Sequence, residues 1–170
     1  MLNKVAIIDI GTNTFNLLVV NKGDNDYDTM YSERIGVGLG HGGINESIIA
    51  PAAFERGLNC LINYADVCKK YKVHSIYAFG TSALRHAKNA SDFIKAVKSK
   101  TNIDIKVLNG QEEADLIYKG IKIGYDFTEK SVVMDIGGGS TEFILADHSG
   151  VIDKHSFEID KYLIITLKRN

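Results

Sequence analysis

A strand, a tight turn and a second strand occur twice in this chain, and this repeat limits the possible folds more than any other sequence feature. The first copy covers residues 5–20 and is centred on Asp9-Ile10-Gly11, whereas the second covers residues 132–146 and is centred on Asp135-Ile136-Gly137. The two aspartates are 126 positions apart. In both copies, apolar runs of strand length flank a turn rich in Gly, Thr, Asn and Ser. The repeat predicts two related units, each opening with a hairpin of antiparallel strands.

The chain between the two hairpins alternates predicted helices with predicted strands. Apolar residues at helical spacing predict a long helix from Pro51 to about Tyr71, and a proline suits the first helical turn. Further helices are predicted at 82–87, 92–100 and 111–120, and further strands at 27–35, 75–79, 105–108 and 151–157. The fold class is therefore α/β. We expect residues 1–126 to form a first domain and residues 131–170 to form the beginning of a second.

Composition is that of an ordinary globular protein and excludes several functions. The 170 residues carry 20 Lys and Arg against 21 Asp and Glu, a net charge of −1, which gives no electrostatic reason to expect DNA as a partner. No apolar run approaches the roughly 20 residues of a transmembrane helix. The N-terminus enters a strand without an apolar leader segment. We therefore expect a cytoplasmic protein that binds neither DNA nor a membrane.

The two cysteines support this assignment to a reducing compartment. Cys60 and Cys68 both fall on the long predicted helix. Eight residues of helix separate their Cα atoms by about 12 Å, which is too far for a disulfide. We expect both to be buried thiols.

The two turns are candidates for phosphate binding. Backbone N–H groups and hydroxyls gathered in a tight turn form a concave patch that suits phosphate oxygens. Asp9 and Asp135 each end a strand beside such a turn, where a carboxylate can hold Mg²⁺ next to substrate phosphates. A single turn of this type is more often an ordinary hairpin in which glycine supplies the backbone conformation. The same order of Asp, Ile and Gly in two copies favours a pair of phosphate-binding loops facing one another.

Four motifs, in order along the chain, resemble a known enzyme family. They are Asp9-Ile10-Gly11-Thr12-Asn13-Thr14, Gly80-Thr81-Ser82-Ala83-Leu84-Arg85, Asn109-Gly110-Gln111-Glu112-Glu113-Ala114 and Asp135-Ile136-Gly137-Gly138-Gly139-Ser140-Thr141-Glu142. Together they resemble the exopolyphosphatase and guanosine pentaphosphate phosphohydrolase (Ppx/GppA) family, within the superfamily of actin, sugar kinases and heat-shock chaperone ATPases. The resemblance implies two ribonuclease H-like (actin-like ATPase) domains with mixed sheets and the active site between them. It also implies Mg²⁺-dependent release of the terminal phosphate of inorganic polyphosphate or guanosine pentaphosphate.

The resemblance assigns roles to individual residues. Glu113 matches the family's general base, which removes a proton from the attacking water. Arg85 matches an arginine that binds substrate phosphate, and Glu142 matches an acid near the metal or the water. Asp9 and Asp135 match the metal site. Phosphate-binding positions are matched by Gly11, Thr12, Asn13 and Thr14 in the first loop and by Gly137, Gly138, Gly139, Ser140 and Thr141 in the second.

Taken without the resemblance, two of these residues have simpler explanations. An acidic pair such as Glu112 and Glu113 is favoured by the dipole in the first turn of any helix. Arg85 could also be an ordinary exposed arginine on a helix surface. Only the resemblance makes the catalytic interpretation the stronger one for Glu113.

The chain departs from the family pattern in two places. Asp115 follows Glu113-Ala114 where the family usually has an arginine, which reverses a charge near the candidate base. After Phe157 the family usually continues into a long helical second domain, whereas this sequence ends at Asn170. We therefore expect the strands within 131–157 to expose an apolar face. Such faces tend to pair with another chain, which predicts a homodimer through this region.

Two other functions stay open at the level of the sequence. A non-catalytic sensor of nucleotides or alarmones would keep the phosphate loops without turnover, and the early end of the sequence favours it. An ATP-dependent kinase of the same superfamily is the third candidate. Against the kinase, no adenosine-pocket pattern is visible, and the Glu112-Glu113 and Arg85 motifs favour the phosphatase branch.

Overall fold

A computed structural model describes residues 3–23, 26–43 and 46–158, which fall into two compact units, Met1–Asn109 and Gly110–Asn170. The first unit contains β1 (Asn3–Ile10), β2 (Thr14–Lys22), β3 (Tyr27–Gly36), α1 (Pro51–Tyr71), β4 (Ser75–Gly80), α2 (Ser82–His86), α3 (Ala90–Thr101) and β5 (Ile105–Val107). The second contains α4 (Gly110–Lys122), β6 (Ser131–Ile136), β7 (Thr141–Asp147) and β8 (Gly150–Phe157). Every predicted helix and strand is present, and no end differs by more than two residues.

The first unit is built on a mixed five-stranded sheet with the strand order β3-β2-β1-β4-β5. The strands β1, β2 and β3 are antiparallel neighbours, whereas β1, β4 and β5 run parallel. Parallel neighbours require crossover connections, which α1 provides before β4 and which α2 and α3 provide before β5. The carboxyl ends of β1, β4 and β5 therefore meet at one edge of the sheet, the usual place for a ligand in such folds.

The core of the first unit lies on one face of this sheet. Tyr64 of α1 is fully buried, and its hydroxyl donates to the backbone carbonyl of Phe15 at 3.0 Å, so that burial leaves the hydroxyl paired. Gly57 lets α1 approach α3, because a Cβ there would lie 3.0 Å from the ring of Phe93. The sheet residues of this core alternate along β1 and β2 and are at most 1% exposed: Ala6, Ile8, Ile10, Phe15, Leu17 and Val19.

The second unit is a three-stranded antiparallel sheet in the order β6-β7-β8, with α4 packed on β7 and β8. This helix falls within the predicted first domain, residues 1–126, and the limits of the two domains stay a prediction. Alternating side chains give the sheet two different faces. Ile144 is fully buried on one face, whereas Val132, Met134 and Ile136 on the other are 66%, 55% and 69% exposed. The second unit therefore has the exposed apolar face expected from the sequence.

The described part of the chain holds no helix that is long and apolar enough to cross a membrane.

The thiols of Cys60 and Cys68 are free and buried, as expected. Burial raises the pKa of each from 9.0 to about 11, because the thiolate is poorly solvated among apolar side chains.

These pKa values predict how stability changes at high pH. A thiol whose pKa is higher in the folded than in the unfolded chain favours folding below about pH 9, and this contribution is lost as the pH rises through 11. We expect the free energy of unfolding, measured in urea, to fall across that interval. The fall should be shallower when Cys60→Ala and Cys68→Ala are combined. An unchanged slope in the double variant would contradict the prediction.

Candidate functional site

The two predicted phosphate loops close with the same backbone hydrogen bond. The N–H of Gly11 donates to the carbonyl of Thr14 at 3.1 Å, and the N–H of Gly137 donates to the carbonyl of Ser140 at 2.9 Å. A Cβ at Gly11 would lie 2.9 Å from its carbonyl partner, and one at Gly137 would lie 3.0 Å from its own. Neither distance leaves room for a side chain without a backbone shift. The sequence repeat is thus a repeat of backbone structure that favours glycine at the same position.

The two candidate metal-binding aspartates occupy equivalent places but have different neighbours. Asp9 is exposed near the end of β1, and Asn16, directly opposite on β2, donates from Nδ2 to its Oδ2 at 2.9 Å. Asp135 is exposed near the end of β6, and its cross-strand partner on β7 is Glu142. Two carboxylates directly opposite one another repel, and a bound cation relieves that repulsion. Asn16 was not among the site residues predicted from the sequence.

The donor set fits a lightly held magnesium ion better than a fully protein-ligated one. Within residues 3–23, 26–43 and 46–158, no group of three or more His, Cys, Asp or Glu side chains is arranged to hold a metal. Mg²⁺ keeps several waters and is usually bound through one or two carboxylates together with substrate phosphates. Asp135, with Glu142 opposite it, provides oxygen donors of that kind, and Asp9 provides one carboxylate in the first unit.

A glycine-rich loop after β3 braces the first phosphate loop. The N–H groups of Gly38 and Gly40 donate to the carbonyls of Asn13 and Thr12 at 2.8 and 3.1 Å. A trans peptide directs its carbonyl and its N–H to opposite sides. The N–H groups of Asn13 and Thr14 therefore point away from the glycine loop.

The helix α1 holds this brace in place. Arg56 donates from Nε to the carbonyl of Val37 at 2.8 Å and from Nη2 to the carbonyl of Gly38 at 3.1 Å. The side chains of Val37 and Leu39 are also buried in the core. The glycine content of the segment favours mobility, and no local sequence signal indicates a bracing role.

Burial differs within the two loops. Asn13 and Gly137 are exposed, whereas Thr12, Ser140 and Thr141 are at most 6% exposed. The buried side chains help to fix each turn in the protein. Asn13 and Gly137 are the residues of the two loops that are open to solvent. The remaining loop residues Gly11, Thr14, Gly138 and Gly139 are half-buried.

Arg85 lies at the same edge of the first sheet as Asp9. The backbone N–H of Thr81, just after β4, donates to the carbonyl of Ile10 at 3.3 Å. Arg85, one turn further along α2, donates from Nη1 to the carbonyl of Leu108 at 2.9 Å, just after β5. Its guanidinium is thereby held where the parallel strands end. The first unit thus brings Asp9, the first loop and Arg85 to one edge of the sheet.

The second unit carries the other candidate residues. Glu113 is half-buried in the first turn of α4. Glu142 on β7 is 1% exposed, and the hydroxyl of Ser156 on β8 donates to its Oε1 at 2.7 Å. A buried carboxylate is costly unless hydrogen bonds satisfy it, so this bond supports the position of Glu142. Ser156 was not among the residues selected from the sequence.

The reversed charge at Asp115 has a partner in the structure. Lys154 on β8 donates from Nζ to Oδ1 of Asp115 and, at 3.3 Å, to the carbonyl of Gln111. The side-chain amide of Gln111 donates in return to the carbonyl of Lys154 at 3.3 Å. These contacts hold the first half of α4 on β8. The acid that departs from the family pattern therefore anchors the helix that carries Glu113.

Comparison with protein families and curated proteins gives a consistent result. The model of the Ppx/GppA phosphatase family matches residues 18–160. A bifunctional 3-dehydroquinate synthase/phosphatase of Fusobacterium nucleatum is 37% identical over 163 residues, which cover 91% of this chain and 24% of that protein. A guanosine-5'-triphosphate,3'-diphosphate pyrophosphatase of Vibrio atlanticus is 34% identical over 142 residues, which cover 84% of this chain and 29% of that protein.

Two solved structures superpose on this chain and have the same overall arrangement of strands and helices. An exopolyphosphatase from Cytophaga hutchinsonii superposes with a TM-score of 0.90 at 37% identity, over 93% of this chain and 51% of that one. The ADP-bound MreB5 of Spiroplasma citri superposes with a TM-score of 0.50 at 18% identity, over 93% of this chain and 53% of that one, which bears on the fold alone. The chain spans about half of this exopolyphosphatase and about a quarter of the two curated relatives.

The contact between Lys154 and Asp115 predicts a measurable energetic coupling between these two charged side chains. The side chains of Lys154 and Asp115 are only 23% and 46% exposed. We expect a double-mutant cycle with Lys154→Met and Asp115→Asn to give a coupling of about 0.5–1 kcal/mol in urea unfolding. The matched control is the more exposed pair Lys98 and Asp104, at 43% and 84%, for which we expect about 0.3 kcal/mol or less. A coupling at Lys154 no larger than that of the control would show that the pair does not anchor α4.

Proposed function

This chain belongs to the Ppx/GppA phosphatase family, and on that basis we propose that it hydrolyses the terminal phosphoanhydride bond of inorganic polyphosphate or guanosine pentaphosphate. The observation that carries the proposal is the pair of loops with identical glycine-dependent closure, each preceded by an aspartate. Both substrates end in a phosphoanhydride-linked phosphate, so one site accommodates either. We further propose the cytoplasm as the compartment, in agreement with two free, buried thiols.

The first unit supplies groups suited to holding phosphate. The N–H groups of Asn13 and Thr14, directed away from the glycine loop, bind phosphate oxygens. Arg85 binds the terminal phosphate through its planar guanidinium, which matches the geometry of phosphate oxygens. The carbonyl of Leu108 restrains that side chain, so less rotamer freedom is lost on binding. Asp9 takes part in holding magnesium.

The second unit supplies the acids. Glu113 accepts a proton from the attacking water as general base. Glu142 orients the same water or the metal, and the second loop, with Gly138, Gly139 and Thr141, contacts the phosphates. Asp135 and Glu142 are the side chains that would hold Mg²⁺ in this unit. When bound, that ion supplies positive charge that offsets the charge of the phosphate oxygens.

The proposal predicts that removing the base removes turnover. Glu113→Gln keeps the shape of the side chain but cannot accept the proton, so we expect phosphate release from polyphosphate and from guanosine pentaphosphate to fall about 10²- to 10⁴-fold. Glu129→Gln, at an exposed glutamate between α4 and β6, is the control and should leave release unchanged. The measurement is Mg²⁺-dependent phosphate release by the 170-residue chain.

Two outcomes would contradict different parts of this proposal. Release that is equal in Glu113→Gln and in the parent would exclude Glu113 as the base. Calorimetric binding of guanosine pentaphosphate by the parent chain, with no phosphate released in the presence of Mg²⁺, would instead favour the sensor.

We also propose that the chain forms a homodimer through the exposed face of the second sheet. Val132, Met134, Ile136 and Phe157 are each about half exposed or more, and side-chain alternation places them on the face opposite α4. An apolar patch of this kind is typical of an interaction surface. A second copy of the chain is the simplest partner, because a two-fold axis makes one patch complementary to itself.

Light scattering tests the dimer. We expect a mass of two chains at high concentration, and we expect Met134→Lys to reduce it to one by placing a charge in the apolar face. Met30→Lys is the matched control, because Met30 is 36% exposed on β3 in the other unit. A parent chain that stays monomeric at high concentration would contradict the proposal.

A further inference from the structure

The two candidate acids of the second unit are connected through one small residue, Ser156. Its hydroxyl donates to Oε1 of Glu142 at 2.7 Å across the β7–β8 pair. Its side chain also lies against the first residue of α4, because a Cβ at Gly110 would be 2.5 Å from the Cβ of Ser156 and 2.6 Å from its Oγ. Ser156 therefore contacts both the buried carboxylate and the start of the helix that carries Glu113.

Glu113 lies on the face of α4 that includes Gly110. Residues three and four apart lie on the same face of a helix, so Glu113 and Ala114 share the face of Gly110. Ala114 is fully buried, which agrees with that face being turned inward. The same stretch of α4 is anchored on β8 by Lys154. Glu113 thus lies one turn beyond the residue that touches Ser156.

The size of both partners is restricted. Gly110 leaves no room for a side chain because Ser156 occupies that space, and the same close contact leaves little room for a side chain larger than serine at position 156. A hydroxyl is also the smallest side-chain group that can donate to Glu142. Serine meets both conditions, since alanine lacks the donor and longer donors lack the space.

We propose that Ser156 is a positioning residue of the hydrolytic site. Its hydroxyl holds the carboxylate of Glu142. Its small side chain lets the first turn of α4, which carries Glu113, pack against β8. The proposal rests on the proposed function for the roles of the two acids. Ser156 itself does not contact the reacting atoms. It acts through Glu142 and through the position of α4.

Kinetics provide the first test. Ser156→Ala keeps the side chain small and removes the donor, so Glu142 loses the contact that fixes its orientation. We expect kcat for phosphate release to fall about 10-fold with KM unchanged, because misplacement of a catalytic group affects the chemical step more than binding. Ser156→Cys, with similar size and a weaker donor, should give an intermediate kcat. An unchanged kcat, or a change confined to KM, would overturn the proposal while leaving hydrolysis itself intact.

The control variant removes an equivalent hydrogen bond elsewhere in the unit. Ser149 donates from its hydroxyl to Oδ1 of Asp147 at 2.6 Å, at the opposite end of β7. Ser149→Ala should leave kcat within about twofold of the parent. A loss equal to that of Ser156→Ala would show that any serine–carboxylate bond in this sheet has the same effect, and would overturn a specific role for Ser156.

A second readout does not depend on turnover. In the chain labelled with ¹³C at glutamate carboxyl carbons, the signal of Glu142 is the one missing in Glu142→Gln. At fixed pH this signal should shift in Ser156→Ala and in Gly110→Ala, which forces a methyl group onto Ser156. It should not shift in Ser149→Ala or in Gly120→Ala, where a Cβ on the same helix meets nothing within 4 Å.

The two readouts separate the two proposals. If the parent chain releases no phosphate from either substrate, the proposed function fails, but a shift of the Glu142 signal in Ser156→Ala still supports the positioning contact. A Glu142 signal that is the same in Ser156→Ala as in the parent overturns that contact, whatever the activity.

Discussion

Both halves of this protein depend on a hydrogen bond from a glycine N–H to the carbonyl three residues later. At Gly11 and at Gly137 this bond turns the chain sharply between two antiparallel strands, and it does so with a geometry in which a Cβ would meet the carbonyl oxygen. The aspartate two residues before each glycine is thereby placed near the end of its strand, directly beside the turn. An acid and a set of backbone groups are brought together twice by the same local constraint.

Each unit then supports its candidate residues in its own way. In the first unit, Arg56 of α1 holds the glycine loop, and the glycine loop holds the carbonyls of Thr12 and Asn13. In the second unit, α4 lies on β7 and β8, and Lys154 and Ser156 fasten its first half. The first arrangement controls which way the loop N–H groups point, whereas the second controls where two acids lie. The two units thus share a hairpin, but different contacts support the candidate residues beside it.

Sequence patterns were sufficient for the secondary structure and for the order of the motifs. The long helix at Pro51–Tyr71 and the two hairpins were predictable because apolar periodicity and turn residues act over short stretches of chain. The supporting contacts were not predictable in this way. Asn16 beside Asp9, Lys154 beside Asp115 and Ser156 beside Glu142 are ordinary polar residues with no local pattern. Their importance comes from strand register and from the packing of α4 on a strand more than 30 residues away.

By itself, the sequence determined the α/β class, the repeat and the two Asp-Ile-Gly turns, because these follow from local periodicity and from a residue without a Cβ at the tightest point of each turn. Only the tertiary structure decided how the candidate residues are supported. It paired the unusual Asp115 with Lys154 and buried Glu142 against Ser156. It also turned the N–H groups of the first loop away from the glycine loop. Contacts between residues distant along the chain depend on register and packing, and one-dimensional patterns do not specify them.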